Sequence, residues 1–303
     1  MNKKKIIVGV RGSKLAIKYA EIAIKNIKTI FNGSIELKKI TTTGDLVLDR
    51  RTSDIGGKGE FIKNIEHELI NNKIDIAVHS LKDIPSENTK GLVLKSFLKR
   101  NYANEVLISN GNLSFKNLKK NSIVGTSSPR REFQIRLKRP DLIIKLIRGN
   151  IDTRISMLRN KNYDAIILAK AGISSLNLEN LISEEFHCRE IVPSAGQGII
   201  ALQAREKDYN ILEILEKINH PKTEIMGKCE REVLKILGGD CNTAIGVNSK
   251  IENQNISIIA ELFSVKGNNR YFCEETGEIN MYLEIAKKVA GYLKTESNGD
   301  YKL

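Results

Sequence analysis

The sequence predicts an α/β protein: two similarly built α/β lobes with a cleft between them, then a small α+β C-terminal domain. Three observations carry this. Short β-branched runs alternate with stretches of helical apolar spacing, which is the pattern of strands covered by helices. A strand, a turn of small residues and a helix start occur twice, at Val8-Gly9 with Ser13 and at Val124-Gly125 with Ser128. Pro and turn signals around Pro221 set off the last part of the chain. At 303 residues, two or three domains are expected, bounded at 1–99 with 198–219, 100–197 and 220–303.

In order, Lys5 to Val10 reads as a strand, Gly12-Ser13 as a turn, and Lys14 to about Ile30 as a helix. Leu15, Tyr19, Ile22, Ala23, Ile27 and Ile30 recur there at helical spacing. Ser34 to Ile40 is a second strand. The polar stretch from Thr41 to Glu60 follows, with Asp45, Arg50, Arg51 and Gly56-Gly57-Lys58-Gly59. A loop of this length suits a lid, and its glycines permit hinge motion, although they do not form the P-loop pattern. After a helix from about Phe61 to Asn71 comes Ile74-Asp75-Ile76-Ala77-Val78-His79-Ser80-Leu81-Lys82-Asp83-Ile84-Pro85-Ser86. Its apolar start fits a buried parallel strand and Pro85 ends it, so Lys82 and Asp83 fall at the strand's C-terminal edge. In open α/β sheets ligands bind at that edge.

The second lobe opens on Ile123 to Arg131, where Ser128 suits an N-cap and Pro129 the first helical position. A strand at Leu142 to Ile147, a loop and helix at Arg148 to Arg159, and a strand at Tyr163 to Ala169 follow. Pro193 to Gly198 then leads into the apolar run Ile199 to Leu202, as a return to the first lobe. The last domain reads as a helix from about Thr223 to Leu237, a Gly238-Gly239-Asp240-Cys241 turn, short strands within Ala244 to Phe272, and a helix near Met281 to Leu293.

Lys and Arg number 49 against 36 Asp and Glu, a formal charge of +13. Such an excess suits an anionic partner, but much of it is dispersed Lys, and the clustering of Arg is more informative. Arg130 and Arg131 stand at a helix start, whose N–H groups and dipole favour anions. Arg148 and Arg154 bracket the next strand-to-helix loop, and Arg11 has the equivalent place in the first lobe. Guanidinium groups bind carboxylates bidentately, so this set suits a ligand with several carboxylates. A nucleic-acid binder would add stacking aromatics, and the chain is 5% aromatic without Trp. A solute-binding module would explain a cleft, but the start of the chain shows no export signal. The four cysteines and four histidines have neither zinc-ligand nor disulfide-framework spacing, so no metal is expected.

These motifs together resemble the hydroxymethylbilane synthase, or porphobilinogen deaminase, family. The match covers Val8 to Ser13, Gly56 to Gly59, Asp75 to Pro85, Val124 to Arg131, Arg148-Gly149-Asn150 with Arg154, Gly196-Gln197-Gly198 and the Gly-Gly-Asp-Cys turn. His-Ser-Leu-Lys-Asp and Gly-Thr-Ser-Ser-Pro-Arg-Arg are its most specific parts. The resemblance implies a pair of periplasmic-binding-protein-like α/β domains plus a third domain. It also implies a transferase that joins four porphobilinogen molecules head to tail, releasing ammonia, on a covalent dipyrromethane primer, and then frees a linear tetrapyrrole by hydrolysis. On that resemblance Cys241 holds the primer, Asp83 is the catalytic carboxylate, and Lys82, Thr126, Ser128, Arg130 and Arg131 hold the primer's carboxylates. Arg11, Ser13, Arg148 and Arg154 receive the substrate or growing chain, and Asp45 and Lys58 belong to the lid. The protein is then expected to be a cytoplasmic monomer with porphobilinogen as its partner and neither nucleic acid nor membrane. The chain departs from the family pattern at Ser174-Ser175, where a basic residue is usual, at Ala244 in place of Pro, and at Asn101 to Glu105, where a Pro-Arg-Asp hinge is usual.

Overall fold

The computed structural model describes residues 4–41, 62–239 and 243–302. The expected lid residues Asp45 and Lys58 and the expected primer anchor Cys241 lie outside the described residues.

The chain opens with β1 (Lys5–Arg11), α1 (Lys14–Ile27), β2 (Ser34–Ile40), α2 (Lys63–Ile70), β3 (Ile76–Ser80) and β4 (Leu92–Phe97). It continues through β5 (Glu105–Ser109), β6 (Ile123–Gly125), α3 (Pro129–Lys138), β7 (Ile143–Lys145), α4 (Ile151–Arg159), β8 (Ala165–Ala169), α5 (Lys170–Ser175) and β9 (Glu184–Glu185). The last stretch holds β10 (Ile200–Arg205), α6 (Tyr209–Lys217), α7 (Pro221–Leu237), β11 (Ile245–Glu252), β12 (Asn255–Phe263), β13 (Arg270–Glu278) and α8 (Tyr282–Ser297). These elements form two compact units, Met1–Asn101 with Gly198–Gly227, and Tyr102–Gln197 with Lys228–Leu303.

The first unit is built on a five-stranded sheet in the order β2-β1-β3-β10-β4. The second contains a five-stranded sheet in the order β7-β6-β8-β5-β9 and the three-stranded antiparallel sheet β11-β12-β13. The two larger sheets have one topology. In each, the first three strands run parallel, and the fourth is antiparallel to both of its neighbours. That fourth strand is β10 in one lobe and β5 in the other, and each directly follows a stretch where the chain passes between sheets. The expected parallel strand at Ile74 to Val78 is therefore parallel to β1 on one side and antiparallel to β10 on the other, with Ile200 opposite Ser80.

Ile76, Ala77 and Val78 are buried, as an unbroken apolar run requires when both sheet faces are covered. On one face α1 places Tyr19, Ala20, Ala23 and Ile27 against Val8, Val10, Ile76 and Leu202. Helix α1 ends at Ile27 rather than Ile30, which is 40% exposed and adds nothing to that face. The matching glycines of the two lobes have the same physical reason. A Cβ on Gly9 would meet Ile74 Cδ1 at 2.3 Å, and one on Gly125 would meet Tyr163 Cδ1 at 2.9 Å, so both strands need a residue without a side chain there.

In the second unit the three-stranded sheet is tied to the larger one. Val247 N donates to Pro193 O at 2.8 Å, Phe133 of α3 packs on Phe263 of β12 at 5.8 Å, and Arg189 pairs with Glu274. Glu230 of α7 is fully buried and accepts from Gly196 N at 2.7 Å, Ser249 N at 2.7 Å and Ser249 Oγ at 2.8 Å. No helix among the described residues is long and apolar enough to cross a membrane.

Candidate functional site

In the first lobe β1 and β3 end side by side, and a cavity opens at their C-terminal edge. Arg11, Ser13, Tyr19, His79, Ser80 and Asp83 are among its lining residues. Each is placed by local grammar. Ser13 is the N-cap of α1, its Oγ accepting from Ala16 N at 3.3 Å. Asp83 closes a single 3₁₀ turn, Leu81–Asp83, that follows β3 directly. Leu81 anchors that turn in the core, which leaves Lys82 and Asp83 half-buried on its outer side. The cavity measures ≈ 50 Å³. At roughly 10–15 Å³ per water this holds a carboxylate-sized group or a few waters, and not a whole pyrrole.

His79 was not among the expected site residues. It is fully buried, and burial pushes its pKa down to about 4, with Arg11 adding to the effect and the Gln203 hydrogen bond opposing it. Gln203 Nε2 donates to Glu66 Oε1 at 2.7 Å, so Gln203 Oε1 accepts from His79 Nε2 at 3.1 Å. Thr89 Oγ1 completes the chain by donating to Glu66 Oε2 at 2.7 Å. The imidazole behind Asp83 is thus neutral at pH 7 and fixed in orientation.

The second lobe holds the other group. Ser128 caps α3 as the sequence implies, with Pro129 at the first helical position and Ser128 Oγ accepting from Arg131 N at 3.4 Å. Thr126 is buried, and its Oγ1 accepts from Ser128 N at 3.1 Å, which shapes the turn between β6 and α3. Gly149 has φ +102°, a conformation that disfavours a side chain, and its carbonyl accepts from Arg154 Nε at 2.8 Å. Burial, with Arg131 and Arg148 nearby, lowers the Arg154 pKa to about 10. Arg131, Arg148 and Arg154 therefore form one cationic group, Arg131 on α3 after β6, and Arg148 and Arg154 on the loop and helix after β7.

Arg130 and Arg131 are not open surface groups; they are 4% and 6% exposed. Between them lies Glu105, 0% exposed, which the sequence suggested only as part of a hinge. Arg130 Nη2 donates to its Oε1 at 2.6 Å, and Arg131 donates to Oε1 at 3.0 Å and Oε2 at 2.8 Å. Its signal was an acid opening the apolar strand Val106–Ile108, a place where an unpaired charge would be costly. Beyond it, Glu261 is buried near Arg130, and burial raises its carboxyl pKa against the opposing pull of Arg270 and Arg130.

The structure thus gathers Arg11, Ser13 and Asp83 in one cavity, and Thr126, Ser128, Arg130, Arg131, Arg148 and Arg154 around the start of α3 and the neighbouring loop. Lys170 takes no place in the latter group, because its Nζ is on Glu185 at 2.5 Å and over the Tyr102 ring at 3.9 Å. Ser174 Oγ donates to Glu179 Oε1 at 2.8 Å. That local bond uses the first residue of the Ser174-Ser175 pair, where the family pattern has a basic residue.

Two family models match the chain. One, described as porphobilinogen deaminase, dipyromethane cofactor binding domain, covers residues 6–213, and the other, porphobilinogen deaminase, C-terminal domain, covers 225–295. Porphobilinogen deaminase of Staphylococcus carnosus (strain TM300) is 38% identical over 296 residues, 97% of this chain and 96% of that protein. That of Rickettsia bellii (strain OSU 85-389) is 41% identical over 290 residues, 94% of this chain and 96% of that protein. That of Bacillus cereus (strain B4264) is 42% identical over 267 residues, 87% and 86%. Among solved structures, the Bordetella pertussis BvgS periplasmic VFT2 domain aligns at a TM-score of 0.44 and 13% identity, over 71% of this chain and 86% of that one. That likeness is too slight to argue from.

Proposed function

The chain belongs to the porphobilinogen deaminase family, and from that premise we propose how its own residues divide the work. It is a transferase. Its reaction joins four porphobilinogen molecules head to tail, with one ammonia leaving per molecule, and hydrolysis releases the linear tetrapyrrole.

The dipyrromethane group suits the residues present. Several buried or half-buried guanidiniums gathered beside a helix N-terminus are the donor set for a ligand with several carboxylates. In this reading Arg130, Arg131, Ser128, Thr126 and Lys82 hold those carboxylates and Cys241 bears the thioether. When bound, the dipyrromethane supplies the nucleophilic pyrrole carbon from which the chain grows. Arg148 and Arg154 receive carboxylates of the lengthening product.

The observation that carries the reading is that Asp83 shares one small cavity with Arg11 and Ser13. Arg11 and the start of α1 take a substrate carboxylate and hold the ring by it, away from the reacting carbon. Asp83 then faces the pyrrole N–H. Loss of ammonia leaves positive charge on the ring, which a fixed carboxylate in a partly dry site stabilises. Neutral His79 beneath adds no competing positive charge. Asp45 and Lys58 act in the lid, and the enzyme works as a cytoplasmic monomer; a sedimentation mass of twice the chain would overturn the last point.

The test is the intact mass of the native protein before and after addition of porphobilinogen, with Cys241→Ser as control. The expected result is an adduct confined to the wild type that grows in pyrrole-sized steps. An unmodified wild type in both conditions overturns the reading.

A further inference from the structure

Glu105 has no part in the roles above, yet it is the most fully enclosed acid at the site. Its backbone is locked in the sheet, paired opposite Ala169 and accepting from Phe186 N at 3.0 Å. Its carboxylate takes both forks of Arg131, at Nε (3.0 Å) and Nη2 (2.8 Å), as well as Arg130 Nη2 at 2.6 Å. The far sides of the guanidiniums are held by backbone, Arg131 Nη1 on Ile167 O at 3.0 Å and Arg130 Nη1 on Val192 O at 2.6 Å. A guanidinium carries five N–H donors, so these bonds occupy only part of each.

Stability alone does not account for this triad. A buried ion pair gains little over apolar residues of similar volume, because desolvation offsets the Coulombic attraction. Its effect on the arginines is larger. Without the acid, two adjacent buried cations would repel, and burial already lowers the Arg130 pKa, with Glu105 opposing and Arg131 adding to that fall. With it, the pair keeps a net charge of one, and both side chains are confined to one rotamer before any ligand arrives. Confinement in advance lowers the ordering cost of binding.

We propose that Glu105 is a positioning residue of the primer site, which orients Arg130 and Arg131 and offsets one of their charges so that the pair receives a carboxylate in a preset geometry. The inference rests on the family reading above, in which those arginines hold the primer. A competing idea is that Glu105 occupies the place of a ligand carboxylate and must be displaced. The two differ in sign: removing the acid weakens loading in the first and strengthens it in the second.

The experiment measures primer occupancy by intact mass in wild type, Glu105→Gln, Glu105→Asp and Gln134→Ala, alongside thermal melts of each. Gln134 is a matched control. It is buried in α3 and bridges Val192 through both backbone groups, at 3.0 and 2.6 Å, so its loss disturbs the carbonyl that also holds Arg130 while leaving the Glu105 carboxylate in place. Glu105→Gln is expected to melt cooperatively with at least a tenfold lower loaded fraction, Glu105→Asp to recover part of it, and Gln134→Ala to lose melting temperature but keep its primer. If Glu105→Gln does not fold, the comparison of Glu105→Asp with Gln134→Ala carries the test. Wild-type loading in both Glu105 variants, a rise in loading, or an equal loss in Gln134→Ala overturns the inference. A wild type without adduct would instead overturn the family reading on which it rests.

Discussion

His79 is neutral inside the first lobe because burial holds its pKa near 4, whereas an unfolded imidazole takes up its proton near 6.5. Between those values the unfolded chain binds more protons, so stability is full above pH 6.5 and falls as pH drops toward 4. The wild type is expected to lose melting temperature across that window, and His79→Gln to show a flatter profile; identical slopes would mean that another group carries the acid limb. Asp83→Ala is expected to keep its circular dichroism and lose nearly all turnover, and near-normal turnover would remove Asp83 from the mechanism. Arg131→Leu leaves Glu105 with one of its two cationic partners, so it should cost about 3–5 kcal/mol in urea unfolding and also yield protein without the primer adduct. A stable, loaded variant would contradict both effects. The contrast between Ser128 and Glu105 shows what the sequence reveals at this scale. Ser128-Pro129 is a local capping signal, satisfied three residues away, whereas Glu105 finds its partners 25 and 26 residues along the chain. No spacing rule reaches that far, and without it a buried acid is read as part of a loop.

Helices and strands were legible where the pattern repeated over several turns or flanked a strong stop signal. The N-cap at Ser128, the apolar β3 and the stop ahead of Pro85 follow from residues within one element. Strand β5 and strand β4 did not stand out, because a run such as Val106-Leu107-Ile108 is too short to distinguish strand from buried loop by periodicity. The direction of β10 was likewise hidden, since parallel and antiparallel pairing are decided by the neighbour. The capping serine of α3 gives a direct test at this scale. Ser128→Ala removes the acceptor for Arg131 N and should cost about 1 kcal/mol of stability. An unchanged urea midpoint would mean that water replaces the hydroxyl without loss.

Across the second unit, Glu230 is the clearest tie between the larger sheet's 193–198 segment and the three-stranded sheet. Glu230→Ala strips an acceptor from Gly196 N, Ser249 N and Ser249 Oγ at once, and each buried donor left unpaired costs about 1–3 kcal/mol. Amide exchange should accelerate together at Gly196 and along β11, with β1 and β2 unchanged; acceleration at only one of the two sites would show that the tie is not cooperative. The two-lobed organisation was visible in the repeated strand, turn and helix start, because both copies use the same small residues for the same close approaches. The fourth strand of the first lobe's sheet, β10, by contrast, arrives from across the chain. This has a consequence during synthesis. Strands β5 to β9 all lie between Glu105 and Glu185, so the second lobe's sheet is complete soon after that stretch leaves the ribosome. Strands β3 and β4 must wait for β10, which pairs His79 with Ala201, and until then both present open edges to other nascent chains. The lobe that carries Asp83 is the last to close, and its unpaired edges are what a chaperone would meet first.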